Sequence, residues 1–256
     1  MKPPRVGQSS TSESATCGDN GGMLNYSEVE QKLQQILQSR CRAVAVTFAA
    51  EPPEGVAKFE GSEPSSCSYW RLAAEGRSFY TVARDHQNCP IGGYTHNLLQ
   101  PETMPQLNQT LTLMSEIGYI RMEEIPGVFQ LKESPHAVVY SPLGETRVAP
   151  SVVIALGRPG RVMMLAEAAR RAGALSSLPL LGRPTCMALP ATLANGAATS
   201  AGCIGNRVYT GLGEDELYVT LRGSDLERIA GEIDTMMSAN EALRAYHDER
   251  RVALRR

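Results

Sequence analysis

Nowhere in this chain does an apolar run approach the roughly 20 residues a bilayer-crossing helix needs, so a transmembrane reading fails. An excess of one charge is also lacking: 25 Lys and Arg stand against 27 Asp and Glu, a formal net charge of -2. Neutralising nucleic-acid phosphates takes clustered Lys and Arg, and the one basic stretch, Arg250, Arg251, Arg255 and Arg256, is a tail. Neither nucleic acid nor membrane is therefore an expected partner. No HExxH, GxSxG or Ser-His-Asp signature supports a hydrolase. The LGRPGR turn at 156–161 has neither the GK[ST] ending of a Walker loop nor a GxGxxG pattern, and leaves only backbone N–H groups for an anion. The opening stretch MKPPRVGQSSTSESATCGDNGG contains no apolar signal region, so residues 1–22 read as a disordered tail and a reducing cytoplasm is the expected compartment.

What is present is an ordinary globular composition. The 256 residues, 42% of them hydrophobic, can bury a sizeable core without disulfide staples. Six cysteines in a reducing compartment then read as thiols, metal ligands or catalytic groups. Cys17 falls in the tail and Cys41 ends a helical pattern, whereas Cys67, Cys89, Cys186 and Cys203 lie in turn-rich segments.

Hydrophobic spacing predicts the elements. Val29, Leu33, Ile36 and Leu37 mark an amphipathic helix over 26–39, and AVAVTFA at 43–49 a buried strand. A helix starting near Cys67 and stopping at Gly76 precedes the strand SFYTVA and the loop DHQNCPIGG. Met104, Leu107, Leu111 and Met114 predict a helix over 101–116. Strands follow at 136–140 and 151–156, then a helix over 158–172 with Val162, Leu165, Ala166 and Ala169 on one face. The last third gives a helix near Cys186, a loop at Cys203, the strand DELYVTL and helices from Ser224.

One pattern occurs twice: strand, cysteine, short helix, turn, second cysteine. It runs from AVAVTF through CSYWRLAAEGRSFYTVARDHQNCPIGGY, and again from SVVIAL through CMALPATLANGAATSAGCIGNRVY. The intervals differ, with 21 residues between Cys67 and Cys89 and 16 between Cys186 and Cys203. The expected fold is thus α/β or α+β. Two similar βα-rich halves, about 40–135 and 136–233, form one compact domain over 23–238 with a pseudo-twofold, followed by a C-terminal helix at 239–256. Such halves bring two cysteine pairs to a shared interface, where four thiolates would suit zinc or an iron-sulfur cluster. Buried free cysteines acting as small hydrophobes are the plain structural alternative. No CxxC pair or ferredoxin run occurs, so tertiary structure must assemble any such site.

At these residues the chain resembles the bacterial and archaeal family known as domain of unknown function 169. The resemblance rests on the Cys67–Gly93 segment with its CPxGG ending, the Ala-rich helix after the 151–156 strand, and the block from Cys186 through GCIGNRVYTGLGEDELYV. It spans roughly 28–233 and implies that Cys67, Cys89, Cys186, Cys203, Gly205, Arg207 and Glu216 match family positions. No activity follows from membership.

Other chemistry lies nearby. His86 and His96 flank Cys89 and could supply a mixed ligand or a proton shuttle. Arg207 could hold a substrate carboxylate or lower a thiolate's pKa, or pair with Asp215 or Glu216. Trp70, Tyr69 and the methionines read as core packing.

Three functions are carried forward. The first is a four-iron, four-sulfide cluster held by Cys67, Cys89, Cys186 and Cys203, serving redox or Lewis-acid chemistry of an oxidoreductase or lyase, with His86, Arg207 and Glu216 as candidate catalytic groups. The second is a metal-free thiol enzyme with Cys89 or Cys203 as a nucleophile of depressed pKa at a helix N-terminus. The third is a structural zinc or small-molecule module. A small-molecule substrate or redox partner is expected, and the C-terminal helix could support homo-oligomers.

Overall fold

The computed structural model describes residues 24–255, so the tail expected at 1–22, with Cys17, lies outside the described residues. Helix α1 (Tyr26–Leu37) leads into strand β1 (Val44–Ala49), helix α2 (Ser66–Ala74) and strand β2 (Phe79–Thr81). Helices α3 (Pro90–Thr95) and α4 (Pro105–Glu116) precede strands β3 (Ala137–Pro142) and β4 (Val152–Gly157). Helix α5 (Pro159–Arg171), the two-residue strand β5 (Leu180–Leu181), helix α6 (Ala188–Asn195) and strand β6 (Ala197–Ser200) follow. Helix α7 (Ile204–Thr210), strand β7 (Leu217–Arg222) and the long helix α8 (Leu226–Ala253) complete the order.

All seven strands join one mixed sheet in the order β2-β3-β1-β4-β7-β6-β5, antiparallel except for β5 against β6. With β5 set aside, the order reads alike from either end of the central β1–β4 pair. The register also repeats. Val44 lies opposite Pro142 and Ala49 opposite Ala137, just as Val152 lies opposite Arg222 and Gly157 opposite Leu217. Cys67 precedes Phe79 by the same twelve positions that separate Cys186 from Ala198, and those residues pair with Tyr140 and Thr220.

Alternation along the strands splits the core in two. Ala45, Val153, Ala155, Val219 and Leu221 face one side, where α1, α5 and α8 cover them with Leu33, Ile36, Leu165, Ala169, Ile229 and Ile233. Val44, Val46, Val138, Tyr140, Val152, Ile154 and Tyr218 face the other, packed against Tyr69, Trp70, Leu189, Cys67 and Cys186. The predicted stripes on α1 and α5 are all buried, as are Tyr69, Trp70 and Met164, although Met163 lies half exposed.

Three local expectations are corrected. The helix expected over 101–116 is broken: a 3-10 turn at Pro101–Thr103 stops before α4, because Pro105 lacks an amide hydrogen and pushes Met104 to φ -128°. The loops expected at Cys89 and Cys203 turn into short helices directly after each cysteine, which serves as the N-cap. In α3 this takes tertiary support, since Pro-Ile-Gly-Gly is a weak helix former. A Cβ on Gly92 would stand 2.2 Å from the Ser66 hydroxyl oxygen, and one on Gly93 would stand 2.5 Å from a Leu99 methyl, so the glycines let α3 lie directly on its neighbours. The C-terminal segment is no separate element. It continues α8 from the core, where Ile229 and Ile233 are buried, into a wholly exposed stretch beyond residue 240.

Candidate functional site

The four cysteines of the repeated pattern lie on one side of the sheet. Cys67 is the second residue of α2, whose N-cap Ser65 accepts a bond from the Ser68 amide at 3.2 Å. Cys186 sits in a 3-10 turn at Thr185–Met187 that runs into α6. Cys89 and Cys203 are the N-cap residues of α3 and α7. Helix α2 packs on α3, α7 and the Cys186 turn, and α3 packs on that turn too, so the four segments form one group. All four thiols are free; Cys67 and Cys186 are buried, whereas Cys89 and Cys203 are partly reachable.

Electrostatics tie them together. Burial pushes the Cys67 thiol well up, and the neighbouring Cys186, Cys89 and Cys203 add to it, while a hydrogen bond from Asn206 opposes it. The Cys186 thiol is likewise raised by burial first, then by Cys89, with a bond from Thr95 opposing and Cys203 adding. The supports cross over. Asn206, three residues after Cys203, serves Cys67, and Thr95, six after Cys89, serves Cys186. The backbone N–H of Cys203 donates to the Thr185 hydroxyl at 2.6 Å, tying α7 to the Cys186 turn.

The two histidines differ. His86 is fully buried and satisfied: Nδ1 lies 2.8 Å from the Ser66 hydroxyl and Nε2 2.8 Å from that of Thr81. Burial, helped by His96, lowers its pKa to about 3, so it is a neutral structural imidazole. His96 packs edge-on against Phe48 and His86 at 5.8 and 6.2 Å between ring centres. Burial lowers its pKa to about 4; the main chain of Cys186 opposes part of that shift, yet neither ring nitrogen makes a hydrogen bond of ordinary geometry. Asn206 Oδ1, Trp70 Nε1 and the Tyr140 hydroxyl are also buried without partners in this layer. Buried polar atoms nearly always find partners, so these orphans set the layer around the cysteines apart from the rest of the core.

Arg207 and Glu216 do not join that group. The guanidinium of Arg207 donates to the carbonyls of Gly213 and Leu212 at 3.0 and 3.4 Å, holding the turn after α7. It makes no ion pair with Asp215 or Glu216: Asp215 pairs with Arg158 at 3.0 Å, and Glu216 accepts from the Gly213 amide at 2.9 Å. Glu216 also lines a separate shallow cleft of about 150 Å³ with Cys41, Trp70 and Tyr218. Neither Asn206 nor Thr95 stands out as a site residue in the sequence. Only the spacing of Asn206, one helical turn beyond Cys203, could have pointed to it.

Among the described residues no three His, Cys, Asp or Glu side chains are gathered closely enough to hold a single metal ion, and no helix is long and apolar enough to cross a membrane.

One mixed seven-stranded sheet layered with helices defines an α/β protein in which Cys67, Cys89, Cys186 and Cys203 lie on one side of the sheet. The chain belongs to the DUF169 family, described as an uncharacterised ArCR family, whose model matches residues 32–232. It is similar to an uncharacterised protein of Methanocaldococcus jannaschii, MJ0308, with 24% identity over 221 residues, covering 81% of this chain and 93% of that relative. No solved structure matches the chain.

Proposed function

We propose that Cys67, Cys89, Cys186 and Cys203 hold an iron-sulfur cluster, of the four-iron type, that serves electron transfer or Lewis-acid chemistry on a small molecule. The observation that carries the reading is the meeting of four free thiols from distant segments, ringed by buried polar atoms without partners. Thiolates are the standard ligands of such clusters. A single tetrahedral zinc needs its sulfurs about 3.8 Å apart, given Zn–S bonds of about 2.3 Å. A cluster instead gives each thiolate its own iron and spaces the ligands more widely.

The side chains of this chain have defined parts in that reading. Cys67 and Cys186 anchor the buried side, and Cys89 and Cys203 close the side that solvent and a small molecule can reach. Asn206 and Thr95 lie beside the buried sulfurs of Cys67 and Cys186 and favour the thiolate form that a metal ligand must take. When bound, the cluster supplies redox or Lewis-acid capacity that the side chains lack. His86 belongs to the scaffold, and Arg207 acts by fixing the turn behind α7. A reducing cytoplasm and a redox partner or small organic substrate go with this reading.

The test is anaerobic purification and reconstitution, with visible spectrum, iron and acid-labile sulfide measured on one sample. Cluster-like iron and sulfide should be present in wild type and in Cys41→Ser, and lost in Cys→Ser variants at 67, 89, 186 and 203. Full iron retention in all four variants would sink the proposal.

The metal-free thiol reading has one observation in its favour: Cys89 and Cys203 are the two reachable members of the group. They cap helices of only six and seven residues, which limits any dipole effect. A colourless protein in which iodoacetamide rapidly modifies one of these two cysteines would favour it.

A further inference from the structure

A second site lies on the opposite face of the sheet. In the second half, helices α5 and α8 bury β7, and Leu221 is a core residue at 1% exposure. Around β3 no such pair of helices follows. The segment between β1 and α2 is irregular, and after β3 a single 3-10 turn at Leu143–Glu145 leads on towards β4. The result is an open cleft of about 490 Å³, floored by Val139 and Ser141 and walled by Gly55–Ala57 and by Glu145–Val148.

Ser141 holds in β3 the register position that Leu221 holds in β7, opposite Ala45 and Val153 respectively. Where β7 places a leucine, β3 places a hydroxyl that is buried and has no hydrogen-bond partner. A buried hydroxyl left unpaired is costly, and this one lines the cleft. Arg147, on the wall, spends one nitrogen on the carbonyl of Gly55 at 3.0 Å, and no carboxylate of the described residues pairs with it. Glu145 at the rim is already paired with Arg42. Val56, Ala57, Val139 and Val148 supply an apolar lining. The volume falls within the range of small-molecule sites, roughly 300–1,000 Å³.

We propose that this cleft binds a small organic carboxylate, with the carboxylate on Arg147 and the Ser141 hydroxyl and the carbon skeleton against Val56, Val139 and Val148. A guanidinium fork fits a carboxylate through two parallel hydrogen bonds. The site does not depend on the cysteines. Cluster and carboxylate are held on opposite faces of one sheet.

The experiment titrates the full chain with succinate, pyruvate and glutamate, and with inorganic phosphate as an anion lacking a carbon chain. Calorimetry gives Kd, and the melting temperature reports ligand-linked stability. At least one of the three acids should bind more tightly than phosphate and raise the Tm. Arg147→Met should weaken that binding tenfold or more without lowering the ligand-free Tm, because Arg147 is exposed. Ser141→Leu, which copies the residue at the matching register position, should fill the cleft and abolish binding. No binding of any of the three acids, equal binding of phosphate, or undiminished binding in Arg147→Met would each overturn the proposal.

Discussion

Acidification should unfold the metal-free protein through two buried histidines, and the size of the effect follows from their surroundings. His86 and His96 are fully buried, with pKa values lowered to about 3 and about 4, whereas an unfolded chain binds the imidazole proton near pH 6.5. Between pH 6.5 and 4 the unfolded state therefore carries protons that the folded state refuses, and stability falls as pH falls. Each histidine contributes about 1.4 kcal/mol per pH unit in that window. From pH 7.5 to pH 5 the loss is about 2 kcal/mol per histidine and about 4 kcal/mol for the pair, a large part of the roughly 5–15 kcal/mol that holds a domain folded. Stopping at pH 5 keeps most carboxylate titration out of the measurement.

Urea unfolding at a series of pH values reads the slope directly. His96→Phe should halve it, and it should cost little at pH 7.5, because neither ring nitrogen it removes makes a hydrogen bond of ordinary geometry. His86→Gln should also flatten the slope while costing about 1–3 kcal/mol at pH 7.5, because it disturbs the paired hydroxyls of Ser66 and Thr81. A loss below about 1 kcal/mol between pH 7.5 and 5 in wild type, or an undiminished slope in His96→Phe, would refute the reasoning.

Two further outcomes follow from packing. Gly92→Ala should destabilise by about 2–3 kcal/mol, a fall in Tm of several degrees, since its Cβ would stand 2.2 Å from Ser66 Oγ and 2.7 Å from Ser66 Cβ. Ser66→Ala added to it should restore little, because the Ser66 Cβ clash remains; thermal melts of the two variants decide this. Truncation after Asn240 should change stability by less than about 1 kcal/mol, because the α8 residues removed are exposed; a larger loss, or a change in oligomeric mass by light scattering, would show that the exposed stretch has a structural partner.

Much of the fold was legible because apolar periodicity is a local signal. Val29, Leu33, Ile36 and Leu37 on α1, and Val162, Leu165, Ala166 and Ala169 on α5, are spaced for one buried face and are buried. The strands at β1, β3, β4 and β7 were found within two residues at each end, since each is a short β-branched or aromatic run. Strands β5 and β6 were not found: Leu180–Leu181 is two residues long, and Ala-Ala-Thr-Ser has no strand composition. Helices α3 and α7 carry no helical signal in the sequence because glycine, proline and asparagine are poor formers, and only close packing against α2 and the Cys186 turn makes helix the better state there.

The candidate site divides in the same way. The sequence by itself set Cys67, Cys89, Cys186 and Cys203 apart, because they recur in one repeated pattern, and the family match over 32–232 agrees with the resemblance those residues carry. Which other groups accompany them was decided by tertiary structure alone. Arg207 and Glu216, adjacent to the pattern in sequence, turn to a backbone turn and a separate cleft, while Asn206, Thr95 and the unpartnered His96 come to lie around the thiols. Side-chain identity and spacing are properties of the chain, but burial is not. Whether an imidazole is satisfied, a thiol's pKa raised or a hydroxyl left without a partner depends on what the sheet brings against it from residues far away in sequence.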